Sequence, residues 1–195
     1  EGNSKFGANH KWGWFPAASA AWRMSSLPAI KNIEAINDLK LRFSYGVTGR
    51  SGFPKYSALA RYEQGGYWLD DNGQWTQAWG PTNNPNPDLH WEKQISYNLG
   101  VDFQLFNSRL QGTVELFMKK NNNMLIAVTY PGILGDKAPA SNSGKFEAKG
   151  YEGTLTWSDK IGKVNYHIGG TFTYADNKLV DYGGVTVFKS GFIDK

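Results

Sequence analysis

Three kinds of residue in this sequence of 195 could do chemistry: adjacent acids, histidines and a dense group of aromatics. Asp70 and Asp71 stand together in Asp70-Asp71-Asn72-Gly73-Gln74. Two carboxylates can serve as acid and nucleophile in glycoside hydrolysis, but nothing in the sequence gives these two separate roles. The same five residues begin like a calcium loop. The next acids, Asp88 and Glu92, fall far past the bidentate position such a loop requires, so the segment reads as a turn. His10, His90 and His167 lack the spacing of metal ligands. No glycine-rich phosphate loop or nucleophile elbow occurs, and the absence of cysteine excludes thiolate zinc sites. The expectation is a protein with no catalytic residues, no metal and no cofactor.

The aromatics point elsewhere. Between Arg61 and Asn84, Tyr62, Tyr67, Trp68, Trp75 and Trp79 lie among Gly, Asp, Asn and Gln. The apolar face of a sugar ring stacks on aromatic rings while its hydroxyls seek amides and carboxylates. Tyr67, Trp68, Trp75 and Trp79 are therefore candidate substrate-binding residues. The alternative is that these rings pack a long loop onto its own support or onto a partner protein.

The elements that must carry these residues are strands. Asp38–Thr48 alternates without fault, with Leu39, Leu41, Phe43, Tyr45 and Val47 on one side and Lys40, Arg42, Ser44 and Thr48 on the other. That period defines a strand with one apolar and one polar face. The same pattern recurs over 91–105, 110–119, 150–157 and 164–174, with Phe117 as the one misfit on a polar face. A weaker strand is expected over Phe15–Met24. Connections over 25–37, 106–109 and 158–163 are short, whereas those over 49–90 and 121–146 are long. The second long one contains Pro131-Gly132-Ile133-Leu134-Gly135 and the KAPASNSG run, with Met124-Leu125-Ile126 continuing a strand before it. Glycine pairs such as Gly169-Gly170 are expected to ease curvature.

Short and long connections that alternate, on strands of roughly 10 to 14 residues, describe a transmembrane β-barrel. Mean hydropathy is −0.51 even though 40% of residues are hydrophobic, so apolar residues are dispersed. No run approaches the ~18 apolar residues of a spanning helix, which excludes a helical membrane protein. Net charge is +4, with no basic run, and nucleic acid is not an expected partner. The apolar faces carry no charge and suit lipid. Arg42, Glu92, Asn98, Asp102, Glu115 and His167 lie on the opposite faces and are expected to line a hydrated lumen. Trp12, Trp14, Trp22, Trp91 and Trp157, near strand ends, fit an interfacial girdle.

Several stretches also resemble a known family. FPAASAAWRMS (15–25), INDLKLRFSYGVTG (36–49), NPDLHWEKQISYNLGVDFQLFNSRL (86–110) and KGYEGTLTW (149–157) resemble the SusC/RagA family of TonB-dependent outer-membrane transporters. The YGVTG and NPDLxWEK pieces are the most specific. The resemblance implies an all-β protein, an antiparallel barrel of about 22 strands plugged by an N-terminal domain. It also implies a Gram-negative outer-membrane location, a SusD-like surface lipoprotein as lid, and oligosaccharide or peptide import driven through the TonB complex. Residues 1–195 would form part of that barrel, about six or more strands, without plug domain or terminal strand. No signal peptide opens the sequence, and the pattern is cut at Ile193-Asp194-Lys195, so the chain reads as a fragment. Two other readings stay open: a soluble carbohydrate-binding β-sheet module, and a passive outer-membrane pore.

Overall fold

A computed structural model describes residues 1–127 and 139–182. The expected Pro131–Gly135 loop and the cut pattern at Ile193–Lys195 lie outside those residues. Among the described residues are eight strands: Ala17–Arg23 (β1), Ile36–Arg50 (β2), Arg61–Leu69 (β3), Trp75–Asn83 (β4), Glu92–Leu105 (β5), Leu110–Ala127 (β6), Ala140–Ile161 (β7) and Val164–Tyr182 (β8). Six form one antiparallel sheet in the order β1-β2-β5-β6-β7-β8, and β3 with β4 forms a separate hairpin.

The register follows from the alternation. Leu39, Leu41 and Phe43 on β2 pair with Phe103, Val101 and Leu99 on β5, so apolar meets apolar on one face. A slip of one residue would carry Arg42 to the face of Leu41, which fixes the pairing. Connections at one end are short. β7 turns into β8 through Gly162-Lys163, where Gly162 (φ 61°) supplies the positive φ of a two-residue hairpin turn. β5 turns into β6 through Phe106–Arg109, with positive φ at Phe106, Asn107 and Ser108. Side chains and backbone outside the turn hold it: Ser108 N donates to Asn37 Oδ1 at 2.9 Å and Phe106 N to Ala35 O at 2.9 Å.

Three expectations need correction. The 49–90 connection is not one loop, since β3 and β4 occupy much of it. Their alternation is interrupted by Gly65-Gly66, where the register slips between Gln64 and Tyr67 and Gly66 takes φ 71°. Strands β6, β7 and β8 run 18, 22 and 19 residues, well beyond the expected length. They outlast their own hydrophobic period because the backbone ladder satisfies N–H and C=O groups whatever the side chains do. Consequently Ser141–Gly144 belongs to β7 and the Ser158–Lys163 connection contracts to two residues, while the Met124–Ile126 run continues β6 as expected. Finally, Trp91 is no girdle residue. It is 5% exposed, in a small core with Phe6, Phe53, Ala58 and Leu89, and its indole N–H donates to Lys11 O at 3.3 Å.

Among the described residues no second layer covers the apolar face of the sheet. Phe43, Leu99, Leu116, Leu155 and Ile168 all stand exposed. Trp22 and Trp157 lie on that face toward the short-turn end, Trp157 with Phe106 6.5 Å away, while Trp12 and Trp14 are exposed in the segment before β1. Toward the long-connection end, tyrosines mark its border: Tyr45 pairs with Tyr97 and Tyr151 with Tyr174, each pair 5.3 Å between ring centroids.

Candidate functional site

Two surfaces carry the chemistry. The first is the polar face of the six-stranded sheet. Arg42 on β2, Gly100 on β5 and Glu115 on β6 share one row of the ladder. Because Gly100 has no side chain, the guanidinium crosses β5: Nη2 lies 2.5 Å from Glu115 Oε1 and donates to Asp102 Oδ1 at 2.8 Å. Nε is 2.8 Å from Asp102 Oδ2, and Lys40 Nζ reaches the same oxygen at 3.1 Å. Two cations and two carboxylates thus neutralise one another across three strands, as charges on a half-shielded face require. Asn98 lies beside them, lining a cavity of about 210 Å³ with Arg42, Ser44 and Glu115.

The other expected residues of this face are scattered along it. Glu92, only 6% exposed, accepts hydrogen bonds from the Asn121 amide and from Leu125 N at 3.4 Å. His167 lies at the opposite, short-turn end, beside Asp159 and Lys160. Between them a polar groove of about 270 Å³ is lined by Asp102, Gln104, Gln111, Thr113, Thr154 and others. Phe117, the sequence misfit, stands opposite Gly150 on this face. Its ring occupies the space a side chain at Gly150 would need, and Lys119 Nζ sits 5.6 Å above it. Toward the short-turn end of β2, Arg23 and Ser25 donate to Asp38.

The second surface is the β3–β4 hairpin. Its register sets Gln64 opposite Trp79, Tyr67 opposite Gln77 and Leu69 opposite Trp75. Tyr67, Trp75 and Trp79 therefore share one face with Tyr62, while Trp68, opposite Thr76, points to the other. The four candidates divide three to one. Trp75 and Trp79 are 69% and 62% exposed. At the hairpin tip Asp70 is committed to the turn, its Oδ1 accepting from Asn72 N at 2.9 Å and Gln74 N at 2.8 Å.

Other contacts are hidden by sequence distance. His10 and His90 rings lie 5.8 Å apart, with His10 Nε2 3.9 Å from Asp88. Among the described residues no group of three or more His, Cys, Asp or Glu could hold a metal ion. Asn142 pins the strand approach at His90, accepting from His90 N at 3.1 Å and donating to His90 O at 2.9 Å. Nothing in an isolated Asn announces such a clamp.

Comparison with known proteins accounts for this arrangement. A family model described as TonB dependent receptor-like, beta-barrel matches residues 1–191. The chain is 30% identical over 192 residues to TonB-dependent receptor P39 of Formosa agariphila, covering 98% of this chain and 18% of that protein. It is 26% identical over 196 residues to TonB-dependent receptor SusC of Bacteroides thetaiotaomicron, covering 94% and 19%. The solved RagAB peptide importer in its closed–closed state superposes with a TM-score of 0.84 at 27% identity, over 96% of this chain and 20% of that one. The chain thus spans about a fifth of the length of the relatives it matches. One uncovered apolar face, one charged polar face and connections that are short at one end are the features of a barrel wall. The chain belongs to the TonB-dependent receptor-like β-barrel family, whose members are outer-membrane proteins of Gram-negative bacteria.

Proposed function

We propose that this chain forms part of the wall and outer loops of an outer-membrane importer of glycan or peptide fragments, powered through TonB and served by a SusD-like surface lipoprotein. The carrying observation is the division of one sheet into two faces. Leu99 and Ile168 stand on an apolar face that no protein layer covers among the described residues, and Arg42, Asp102 and Glu115 form a neutralised cluster on the other. A water-soluble module would leave that apolar expanse in contact with water, far beyond the patches soluble monomers expose. In a barrel it meets hydrocarbon, and the polar face with Glu92, Asn98 and His167 borders the hydrated path.

The hairpin supports a capturing role. Tyr67, Trp75 and Trp79 offer ring faces flanked by the amides Gln64 and Gln77 on the long-connection side. In this reading Trp68, on the reverse face, meets the lid protein or solvent. The protein supplies an enclosure and a recognition surface, and energy comes from its partners and not from catalysis in this chain.

Uptake of labelled oligosaccharides and peptides by cells carrying the full-length protein, with and without TonB, tests the proposal. Uptake that ceases when TonB is removed supports it. Uptake unaffected by that removal would identify a passive pore.

A further inference from the structure

The β3–β4 hairpin stands outside the six-stranded sheet, and among the described residues its strands pair only with each other. A lone two-stranded hairpin is marginally stable in water, so its direction depends on what holds its two ends. Both ends run into the same small core. Phe53 and Ala58 lie on the stem that enters β3, and Leu89 and Trp91 on the stem that leaves β4. All four are buried, Leu89 completely.

The fifth member of this core comes from elsewhere. Phe6 belongs to the segment before β1, and its ring centroid lies 4.9 Å from that of Phe53 and 4.8 Å from that of Trp91. It therefore joins the entering stem to the leaving stem. The rest of the segment divides in the same way. On the entering stem, Asn3 Nδ2 donates to Ser51 Oγ at 2.9 Å and Lys5 Nζ donates to Phe53 O at 3.2 Å. On the leaving stem, Gly7 packs flush against Pro87, where an added Cβ would collide with the carbonyl oxygen. His10 Nε2 lies 3.9 Å from Asp88, and Lys11 O accepts from the Trp91 indole. A backbone bond from Asn3 N to Lys11 O at 2.8 Å closes the segment on itself.

We propose that residues 3–11 form a brace that clamps the two stems and fixes the direction of the hairpin, with Phe6 as its wedge. Phe6 is then a positioning residue for capture by Tyr67, Trp75 and Trp79. That role rests on the capture reading given above, whereas the brace itself does not. A recognition surface already held in one orientation loses no binding energy to being ordered.

The test uses the full-length protein in lipid nanodiscs, in a cysteine-free background with nitroxide labels at Asn72→Cys on the hairpin tip and Lys120→Cys on β6. Pulsed electron spin resonance then reads the distance distribution between hairpin and wall. The otherwise unaltered protein should give a narrow distribution. Phe6→Ala and Gly7→Ala should each broaden it roughly twofold or more, as a stem released from its core gains motion. Phe6→Leu, which refills most of the space, should restore the narrow one, and Ile168→Ala on the lipid face should leave it narrow. Should Phe6→Ala fail to fold, Gly7→Ala carries the test, because it leaves every core side chain in place. In the loosened variants the half-saturating concentration for uptake of the labelled fragments should rise roughly two- to tenfold, with the maximal rate kept.

An unchanged distribution in the folded alanine variants overturns the brace, whether or not the hairpin binds substrate. Equal broadening by Ile168→Ala overturns it too. A loosened hairpin with unchanged half-saturation overturns the positioning role of Phe6, and if Trp75→Ala and Trp79→Ala also leave uptake unchanged, the fault lies in the capture reading.

Discussion

Arg42 and Glu115 sit on strands that are not neighbours, yet their side chains meet at 2.5 Å because Gly100 leaves the intervening strand bare. Strands two apart are separated by about 9–10 Å, a span the long guanidinium arm crosses only over a missing side chain. A Cβ at Gly100 would lie 3.1 Å from both Arg42 Nη2 and Glu115 Cγ. The contact therefore joins β2, β5 and β6 through side chains as well as through the backbone ladder.

Removing Arg42 should expose the cost of that arrangement. Arg42→Gln leaves Asp102 and Glu115 without their shared partner, and should lower the unfolding free energy of the vesicle-inserted protein by about 1–2 kcal/mol, solvent screening included. Glu115→Gln added to it should cost less than it does alone. A double-mutant cycle in urea gives the coupling directly, and a coupling of zero would mean the two side chains act independently.

Much of this architecture is legible in the sequence alone. The strand cores over 38–48, 92–105, 110–119, 150–157 and 164–174 alternate because hydrocarbon and water bear on opposite sides, and that demand writes itself into period two. Strand ends beyond the band carry no such demand, and β6–β8 extend past where the pattern stops. The β3–β4 hairpin is masked by the Gly65-Gly66 irregularity, which brings Tyr67 to the same face as Tyr62 against simple alternation. Phe117 reads as an error of pattern, and only the register, with Gly150 opposite, shows where its ring finds space. Trp91 reads as a girdle residue because its core partners, Phe6 and Phe53, come from segments with no period. The Arg42–Glu115 contact depends on register across three strands, which no single strand discloses.

The hairpin reading predicts an asymmetry among its tryptophans. Trp75→Ala and Trp79→Ala should each weaken substrate binding by about 0.5–1.5 kcal/mol, a roughly two- to tenfold change in Kd. Trp68→Ala should leave it nearly unchanged. Titration of the full-length protein with its transported fragment measures this. Equal losses for all three variants would assign the rings to packing of the hairpin instead.

Ile168 and His167 are neighbours on β8 and point to opposite faces, with Ile168 69% exposed on the apolar one. Unfolding free energies of Ile168→Arg and His167→Arg in lipid vesicles therefore test the two-faced wall most directly. A guanidinium placed in hydrocarbon at Ile168 should cost about 2–4 kcal/mol, while at His167 it meets water and should change stability by less than about 0.5 kcal/mol. Equal costs, or a larger cost at His167, would contradict the assignment of lipid and water to these two faces.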